Sequence, residues 1–189
     1  MTAHTNGLIS ISSMTKKTTY YFVFGLFCSA LIIAILYSFS IREMHQGTSS
    51  MEPTIKQGEV IVVNRSAYLL SSPRRWDVII FSAPIGKGQE WCSRIVGLPG
   101  EVVDFTSGGL LINGASLDVP KHIKTQIYKK PERFNSIPLF GYSLPEVRFP
   151  YKIPKGSYFT LGDNVEHSCD GRYWGALDCS KILGKVSKK

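Results

Sequence analysis

A short run of hydroxyl side chains follows the first apolar stretch of the chain and is the first place where chemistry is indicated. It reads Thr48-Ser49-Ser50-Met51-Glu52-Pro53-Thr54, and the strand-like segment GEVIVVNR follows at residues 58–65. A serine in a loop is a turn or cap residue far more often than a nucleophile. Ser50 therefore becomes a candidate nucleophile only when the other motifs of the chain are taken into account.

Three further blocks follow Ser50 in a fixed order, and the last has two parts. They read DVIIF (77–81), SRIVGLPGE (93–101), and LGDN (161–164) with SCDGRYWG (168–175). Behind an apolar anchor, these blocks resemble the motifs of bacterial and organellar type I signal peptidases, and the match covers about residues 20–186. The resemblance implies a β-rich serine endopeptidase on the outer face of a membrane. Such an enzyme cleaves secretory signal peptides after small side chains and uses no metal and no organic cofactor.

The resemblance also implies roles for individual residues. Ser50 is the nucleophile, and the Thr48 hydroxyl joins the backbone N–H of Ser50 in the oxyanion hole. Donors of this kind typically lower the barrier by a few kcal/mol. Met51 is expected beside the substrate pocket. Supporting roles fall to three residues of the last block: Ser168, Asp170 and Arg172.

The position of the general base departs from the family pattern. A serine hydroxyl needs a neighbouring base, which in this family is a buried neutral lysine directly before the arginine of the R-x-x-G-x-P-G motif. Ser93 occupies that position here. Neither Ser93 nor Cys92 offers an amine or imidazole, and the guanidinium of Arg94 stays protonated. A relay through Ser93 to His167 or to Lys87 remains open.

Three functions are compatible with these residues. The first is an active signal peptidase with an atypical base, which processes secretory precursors in general or one dedicated precursor such as a pilin subunit of a conjugative transfer system. The second is an inactive relative that binds signal-peptide-like segments without cutting them. The third is a membrane-tethered β-domain that serves assembly. The presence of Ser50, Thr48 and the block around Asp170 favours the first.

An anchor is predicted at residues 20–39, an uninterrupted uncharged run with tyrosines at both ends. Twenty helical residues match the roughly 30 Å hydrocarbon core of a bilayer. The run is too long for the apolar part of a cleaved secretory signal. Lys16 and Lys17 precede it, which favours a cytoplasmic N-terminus. We therefore expect a single-pass protein of the cell membrane, with residues 1–19 in the cytoplasm and residues 42–189 outside it.

The outer domain is predicted to be mostly β, a signal-peptidase-like sheet assembly behind the one transmembrane helix. Asn113-Gly114 is a strong hairpin signal, because both central residues of a type I′ turn need positive φ. Residues 119–156 hold six of the ten prolines and are interpreted as a variable excursion. No segment shows a capped helical stripe. Seven apolar runs read as strands: residues 59–64, 77–82, 91–96, 101–105, 109–112, 157–161 and 182–186.

Cysteines, histidines and charge limit the partners. In an oxidising compartment Cys169 and Cys179 are the expected disulfide pair. The four histidines show no metal-ligand spacing.

The formal net charge of +8 comes from scattered residues without a nucleic-acid motif, so it is interpreted as a solvated basic surface. The expected partners are precursors that carry signal peptides and the lipid bilayer, with no nucleic acid.

Overall fold

The structure is a computed structural model that describes residues 16–86, 88–121, 123 and 146–188. The chain divides into two compact units, Met1–Ser40 and Ile41–Lys189. Part of the excursion predicted at residues 119–156 lies outside the described residues, and so does Lys87.

The first unit contains one helix, α1, over Lys16–Phe39. It begins four residues before the predicted span. Its described large apolar side chains are between 47% and 69% exposed and occur on all sides of the helix. A helix that is apolar all round is stable where apolar surroundings cover it, as in a bilayer. Within the described part of the chain, Lys17–Ile35 is the one segment long and apolar enough to cross a membrane.

The second unit is built from eleven strands among the described residues, together with three single turns of helix. The turns are 3₁₀ at Ser49–Met51, α2 at Gly171–Trp174 and 3₁₀ at Cys179–Lys181. The strands are β1 Ile41–His45, β2 Val60–Asn64, β3 Val78–Ser82, β4 Glu90–Gly97, β5 Val102–Thr106, β6 Gly109–Ile112, β7 Ala115–Ser116, β8 Tyr151–Lys152, β9 Ser157–Leu161, β10 Leu177–Asp178 and β11 Ile182–Lys188.

These strands form two antiparallel sheets. The larger has the order β1-β2-β11-β3-β4-β9-β10, and the smaller has the order β7-β6-β5-β8. One cluster of buried side chains joins them, with Val96, Phe159 and Leu161 from the larger sheet and Val103 and Phe105 from the smaller. The two sheets therefore share one core.

Two further clusters pack on the larger sheet and determine where the active-site loops lie. One holds Met51 and Ile55 against Ile61 and Ile80, so that the segment after Thr48 is fixed to β2 and β3. The other contains Phe81, Tyr158, Trp174 and Leu177 and fixes α2 to the sheet. Each motif block is thus attached to the sheet by buried apolar side chains, each of which stabilises the fold by about 1.5–3 kcal/mol.

The mostly β fold predicted from the sequence is confirmed. Each of the seven predicted strands is present with ends shifted by at most two residues. Asn113 and Gly114 have φ values of 53° and 80°, as a type I′ turn requires, and they connect β6 to β7. The sequence did not indicate β1, whose residues alternate poorly because the strand is mostly exposed at the edge of the sheet.

Candidate active site

Ser50 lies in the 3₁₀ turn that follows β1. Thr48 precedes the turn in an extended conformation, and Met51 within it is completely buried in the core. The buried Met51 side chain holds the turn against the sheet and leaves the Ser50 hydroxyl directed at a cleft. Met51 was predicted beside the substrate pocket. It is not among the residues that line the cleft, and its visible role is to position Ser50.

The hydroxyl groups of Thr48 and Ser50 lie 3.0 Å apart, within hydrogen-bond distance. The side-chain amide of Gln46, which is 5% exposed, donates to three oxygen atoms. Nε2 lies 3.0 Å from the Thr48 carbonyl oxygen, 3.4 Å from Thr48 Oγ1 and 3.5 Å from Ser50 Oγ. The backbone of Gln46 is fixed to Glu59 by a bond of 2.9 Å. Sequence reasoning missed Gln46, because nothing in the run around it marks an inward-facing amide.

The cleft has a volume of about 270 Å³ and lies between two strands. One wall is β1 with the loop to Ser50, and the other is the first half of β4. Residues 167–169 close one end. Its lining residues are Met44, His45, Gln46, Gly47, Thr48, Ser50, Ile80, Gln89, Glu90, Trp91, Cys92, Ser93, His167, Ser168 and Cys169.

Ser93 lies on β4 opposite Ile79 and is 2% exposed. It lines the same cleft as Ser50, and so does the exposed His167. Among the described residues, the hydrogen-bond partners of the Ser50 hydroxyl are Thr48 and Gln46, neither of which is a base. The structure thus brings Ser50, Ser93 and His167 to one cleft, whereas Lys87 lies outside the described residues.

Arg94, the neighbour of Ser93, is engaged elsewhere. Its guanidinium pairs with Asp163 at 2.8 Å and 2.5 Å and donates to the Trp76 carbonyl oxygen at 2.8 Å. Both members of the ion pair are buried, with side chains 6% and 0% exposed. The pair joins β4 to the loop after β9.

A second buried ion pair supports the loop that closes the cleft. Asp170 accepts two bonds of 2.8 Å from the Arg172 guanidinium and one of 3.0 Å from the Gly162 N–H. It also caps α2 by accepting from the Arg172 backbone N–H. Arg172 in turn donates to the Val165 carbonyl oxygen at 2.9 Å. The predicted supporting role of Asp170 and Arg172 therefore has a physical basis in these bonds, which tie both ends of the loop together.

The backbone of Ser50 is held from the opposite side by this loop. The Asn164 N–H donates to the Ser50 carbonyl oxygen at 3.0 Å, and Asn164 Nδ2 donates to the Ser49 carbonyl oxygen at 3.1 Å. The non-glycine residues with positive φ in the described chain are Trp76 and Asn113, so neither Asp163 nor Asn164 is in the left-handed region. Both side chains serve as hydrogen-bonding partners, Asp163 of Arg94 and Asn164 of the Ser49 carbonyl oxygen.

Ser168 lies beside Gly162 at the wall of the cleft and is 4% exposed. A Cβ atom at Gly162 would overlap with Ser168 Oγ and would lie 2.7 Å from the Ser50 carbonyl oxygen. Glycine is therefore required at this position by close approach. Ser168 and the Ser50 carbonyl oxygen both lie close to Gly162, so a displacement at Gly162 affects both of them.

The cysteines are free thiols, and the predicted Cys169–Cys179 disulfide is wrong. The Cys179 N–H bonds to Gly156 before β9, whereas Asp170, next to Cys169, bonds to Gly162 after it. The five residues of β9 span about 17 Å, which exceeds the Cα separation of any disulfide. Burial raises the pKa of the Cys92 thiol to about 12 and that of the Cys169 thiol to about 12. Neither cleft thiol supplies a thiolate base near neutral pH.

Comparison with known proteins connects this arrangement to a family. A signal peptidase I from Bacillus caldolyticus is 31% identical over 163 residues, which is 85% of this chain and 85% of that protein. Signal peptidase I V of Bacillus subtilis is 30% identical over 173 residues, which is 90% of this chain and 98% of that protein. A crystal structure of a signal peptidase I from Enterococcus faecalis is 29% identical, with a TM-score of 0.46, and covers 62% of this chain and 98% of that one.

The family model described as signal peptidase, peptidase S26, matches residues 19–188. That range contains Ser50, its hydroxyl partner Thr48, both walls of the cleft and the buried ion pair of Asp170 with Arg172. The chain therefore belongs to the signal peptidase family, peptidase S26.

Proposed function

We propose that the chain is a membrane-bound serine endopeptidase that cleaves signal peptides from exported precursors after small side chains. The observation that carries this proposal is the pair of hydroxyl groups of Ser50 and Thr48, 3.0 Å apart at the cleft, in a chain of this family. Ser50 Oγ attacks the scissile carbonyl carbon. The Thr48 hydroxyl and the Ser50 N–H then stabilise the charge that develops on the carbonyl oxygen.

The cleft suits an extended peptide. β1 is the edge strand of the larger sheet, and within the described chain β4 pairs with β9 from Arg94 onward. The segment from Glu90 to Ser93 therefore offers a backbone edge to the cleft. An extended substrate can add to such an edge by main-chain hydrogen bonds, while alternate side chains enter the walls. The limited volume of the cleft favours small side chains next to the cut.

The proton of the Ser50 hydroxyl must pass to a base. We propose a relay through Ser93, because its side chain lines the cleft within which Ser50 lies. His167 lines the same cleft, and its imidazole is the side-chain group that most often acts as a general base, so it suits the terminal base. Lys87 is the alternative base and stays a hypothesis from the sequence.

A second function, binding of signal-peptide-like segments without cleavage, is favoured by one specific observation. Among the described residues, no amine, imidazole or carboxylate lies within hydrogen-bond distance of Ser50 Oγ. The cleft would then serve as a docking groove for the same peptides. Both functions use the same walls of the cleft, so the affinity for the peptide does not distinguish them. Measured cleavage of the peptide does.

Cleavage is the test of the first function. Full-length protein in detergent should cleave a precursor with small residues at the first and third positions before the cut, and Ser50→Ala should abolish the product band. Ser116→Ala, at an exposed serine of β7, is the matched control and should cleave as the wild type does. In the relay, His167→Ala also removes cleavage and Ser93→Ala weakens it. Unchanged cleavage by Ser50→Ala would refute the nucleophile.

An inert wild type that binds the precursor would support the second function. Ser93→Lys should then create cleavage, because a desolvated lysine loses its proton near neutral pH and takes the serine proton.

We also propose that the N-terminus is cytoplasmic and that residues 42–189 lie outside the cytoplasm, on the basis of Lys16 and Lys17 before α1. An alkaline phosphatase reporter, which folds only outside the cytoplasm, should be active when fused after Lys189. A reporter active only in the cytoplasm should remain silent there. The reverse pattern would show that the orientation is wrong.

A further inference from the structure

Outside α1, three large apolar side chains in the described part of the chain are exposed. They are Ile41 at 41%, Leu69 at 77% and Leu70 at 101%. The adjacent pair Leu69-Leu70 is thus presented to the surroundings almost completely. Single exposed leucines are ordinary, but two adjacent and largely exposed leucines form an apolar patch of the kind that contacts an apolar partner.

All three side chains belong to one end of the larger sheet. Ile41 pairs with Asn64, the last residue of β2, and the loop with the two leucines begins at the next residue. Ile41 is also the first residue of β1, and in the chain it follows Phe39, the last residue of α1, by two positions.

Hydrogen bonds at several points fix the shape of the loop. Asn64 Oδ1 accepts from the Ser66 N–H at 2.9 Å and from Ser66 Oγ at 2.8 Å. The Leu69 N–H donates to the Ser66 carbonyl oxygen at 3.1 Å. Tyr68 turns inward, and its hydroxyl donates to Asp77 Oδ2 at 3.0 Å. The bond to Asp77 holds the Tyr68 side chain against the domain, while the side chains of the next two residues, Leu69 and Leu70, are exposed.

The loop is flanked by positive charge. Residues 65–75 contain three arginines and no acidic residue. Arg75 pairs with Glu101 at 2.6 Å. Arg65 and Arg74 are exposed, and neither forms an ion pair with a described residue. An apolar tip between exposed basic side chains is the combination that binds the headgroup region of an anionic membrane.

We propose that the segment 65–74, the dileucine loop, is a lipid-binding surface that places Leu69 and Leu70 in the headgroup region of an anionic bilayer. The proposal rests on the membrane anchorage proposed above. In this proposal the loop attaches the outer domain to the membrane surface in addition to the attachment through the helix.

The test uses the full chain with an environment-sensitive fluorophore on one introduced thiol. Cys28→Ala and Cys179→Ser remove two native thiols, while Cys92 and Cys169 react slowly because burial raises their pKa to about 12. The probe is attached to Leu70→Cys, or to Ser107→Cys at the exposed turn between β5 and β6 as a control. The protein is reconstituted in phosphatidylcholine vesicles with and without phosphatidylglycerol.

The Leu70→Cys probe should shift its emission to the blue on reconstitution. A spin-labelled lipid should quench it several-fold more strongly than the Ser107→Cys probe. The quenching should be stronger with phosphatidylglycerol, and Arg65→Gln with Arg74→Gln should remove that increase. A Leu70→Cys probe as exposed to water as the control would overturn the proposal.

Two further outcomes separate the alternatives. A blue shift without lipid quenching would show that protein covers the loop, which also overturns the proposal. Vesicle flotation distinguishes its failure from failure of the anchorage. Protein that does not float refutes anchorage and loop together, whereas protein that floats with a water-exposed probe refutes the loop alone.

Discussion

Asp170→Asn is expected to lower the free energy of unfolding by about 3–5 kcal/mol, the usual cost of leaving one partner of a buried ion pair uncompensated. Arg172 is 1% exposed and its charge is paired with Asp170. An asparagine keeps an acceptor for the Gly162 N–H but removes the countercharge. Because small domains are stable by only about 5–15 kcal/mol in total, the loss should be plain in unfolding by urea.

The measurement is urea unfolding of the full chain in detergent, followed by the fluorescence of Trp174 in α2 and of the other two tryptophans. Glu146→Gln is the matched control. It removes one member of an ion pair whose side chains are 84% and 65% exposed, and an exposed pair contributes little. If Asp170→Asn unfolds at the urea concentration of the wild type, the ion pair does not stabilise the loop.

Gly162→Ala should reduce cleavage by about 100-fold, the size of effect that a displacement near 1 Å has at a catalytic centre. The added methyl group would overlap with Ser168 Oγ and press on the Ser50 carbonyl oxygen. Neither neighbour has room to yield, because Ser168 is buried and the Ser50 carbonyl oxygen is bonded to Asn164. Gly162→Ala therefore moves the nucleophile or the wall of the cleft.

The readout is kcat/KM on a precursor, or on the Ser93→Lys background if the wild type only binds. Gly108→Ala is the control, since its Cβ would meet only Thr106 Oγ1 at an ordinary distance of 3.6 Å. That variant should cleave as its parent does. Full activity in Gly162→Ala would show that the Ser50 backbone tolerates displacement and would contradict the tight coupling inferred from the packing.

Local patterns in the sequence were sufficient to predict the strands whose side chains alternate between core and surface. β2 is an example, since Ile61 and Val63 are buried while their neighbours are less so. The hairpin at Asn113-Gly114 was equally predictable, because its backbone angles depend on the two residues themselves. The pairing of Asp170 with Arg172, two residues apart, also follows from local sequence.

Features that depend on distant partners were not predictable. β1 is a strand because β2 offers it an edge, and its own polar sequence gives no such signal. Asn164 supports Ser49 across 115 residues of chain, and Gln46 acquires its role only when β1 places it beside Thr48. The disulfide prediction failed for the same reason. The distance between Cys169 and Cys179 depends on β9, which precedes both in the chain. Cys179 bonds to Gly156 before this strand, and Asp170 bonds to Gly162 after it.

The position of β11 has a consequence for the order of events during biosynthesis. β11 covers residues Ile182–Lys188 and lies between β2 and β3 in the larger sheet. Among the described residues, the strands β2 and β3 do not pair with each other, so the sheet stays divided until β11 has been translated. The segment with Ser50 and the wall with Ser93 are on opposite sides of that division. A nascent chain that extends only as far as α2 therefore has no assembled cleft and no activity on other polypeptides.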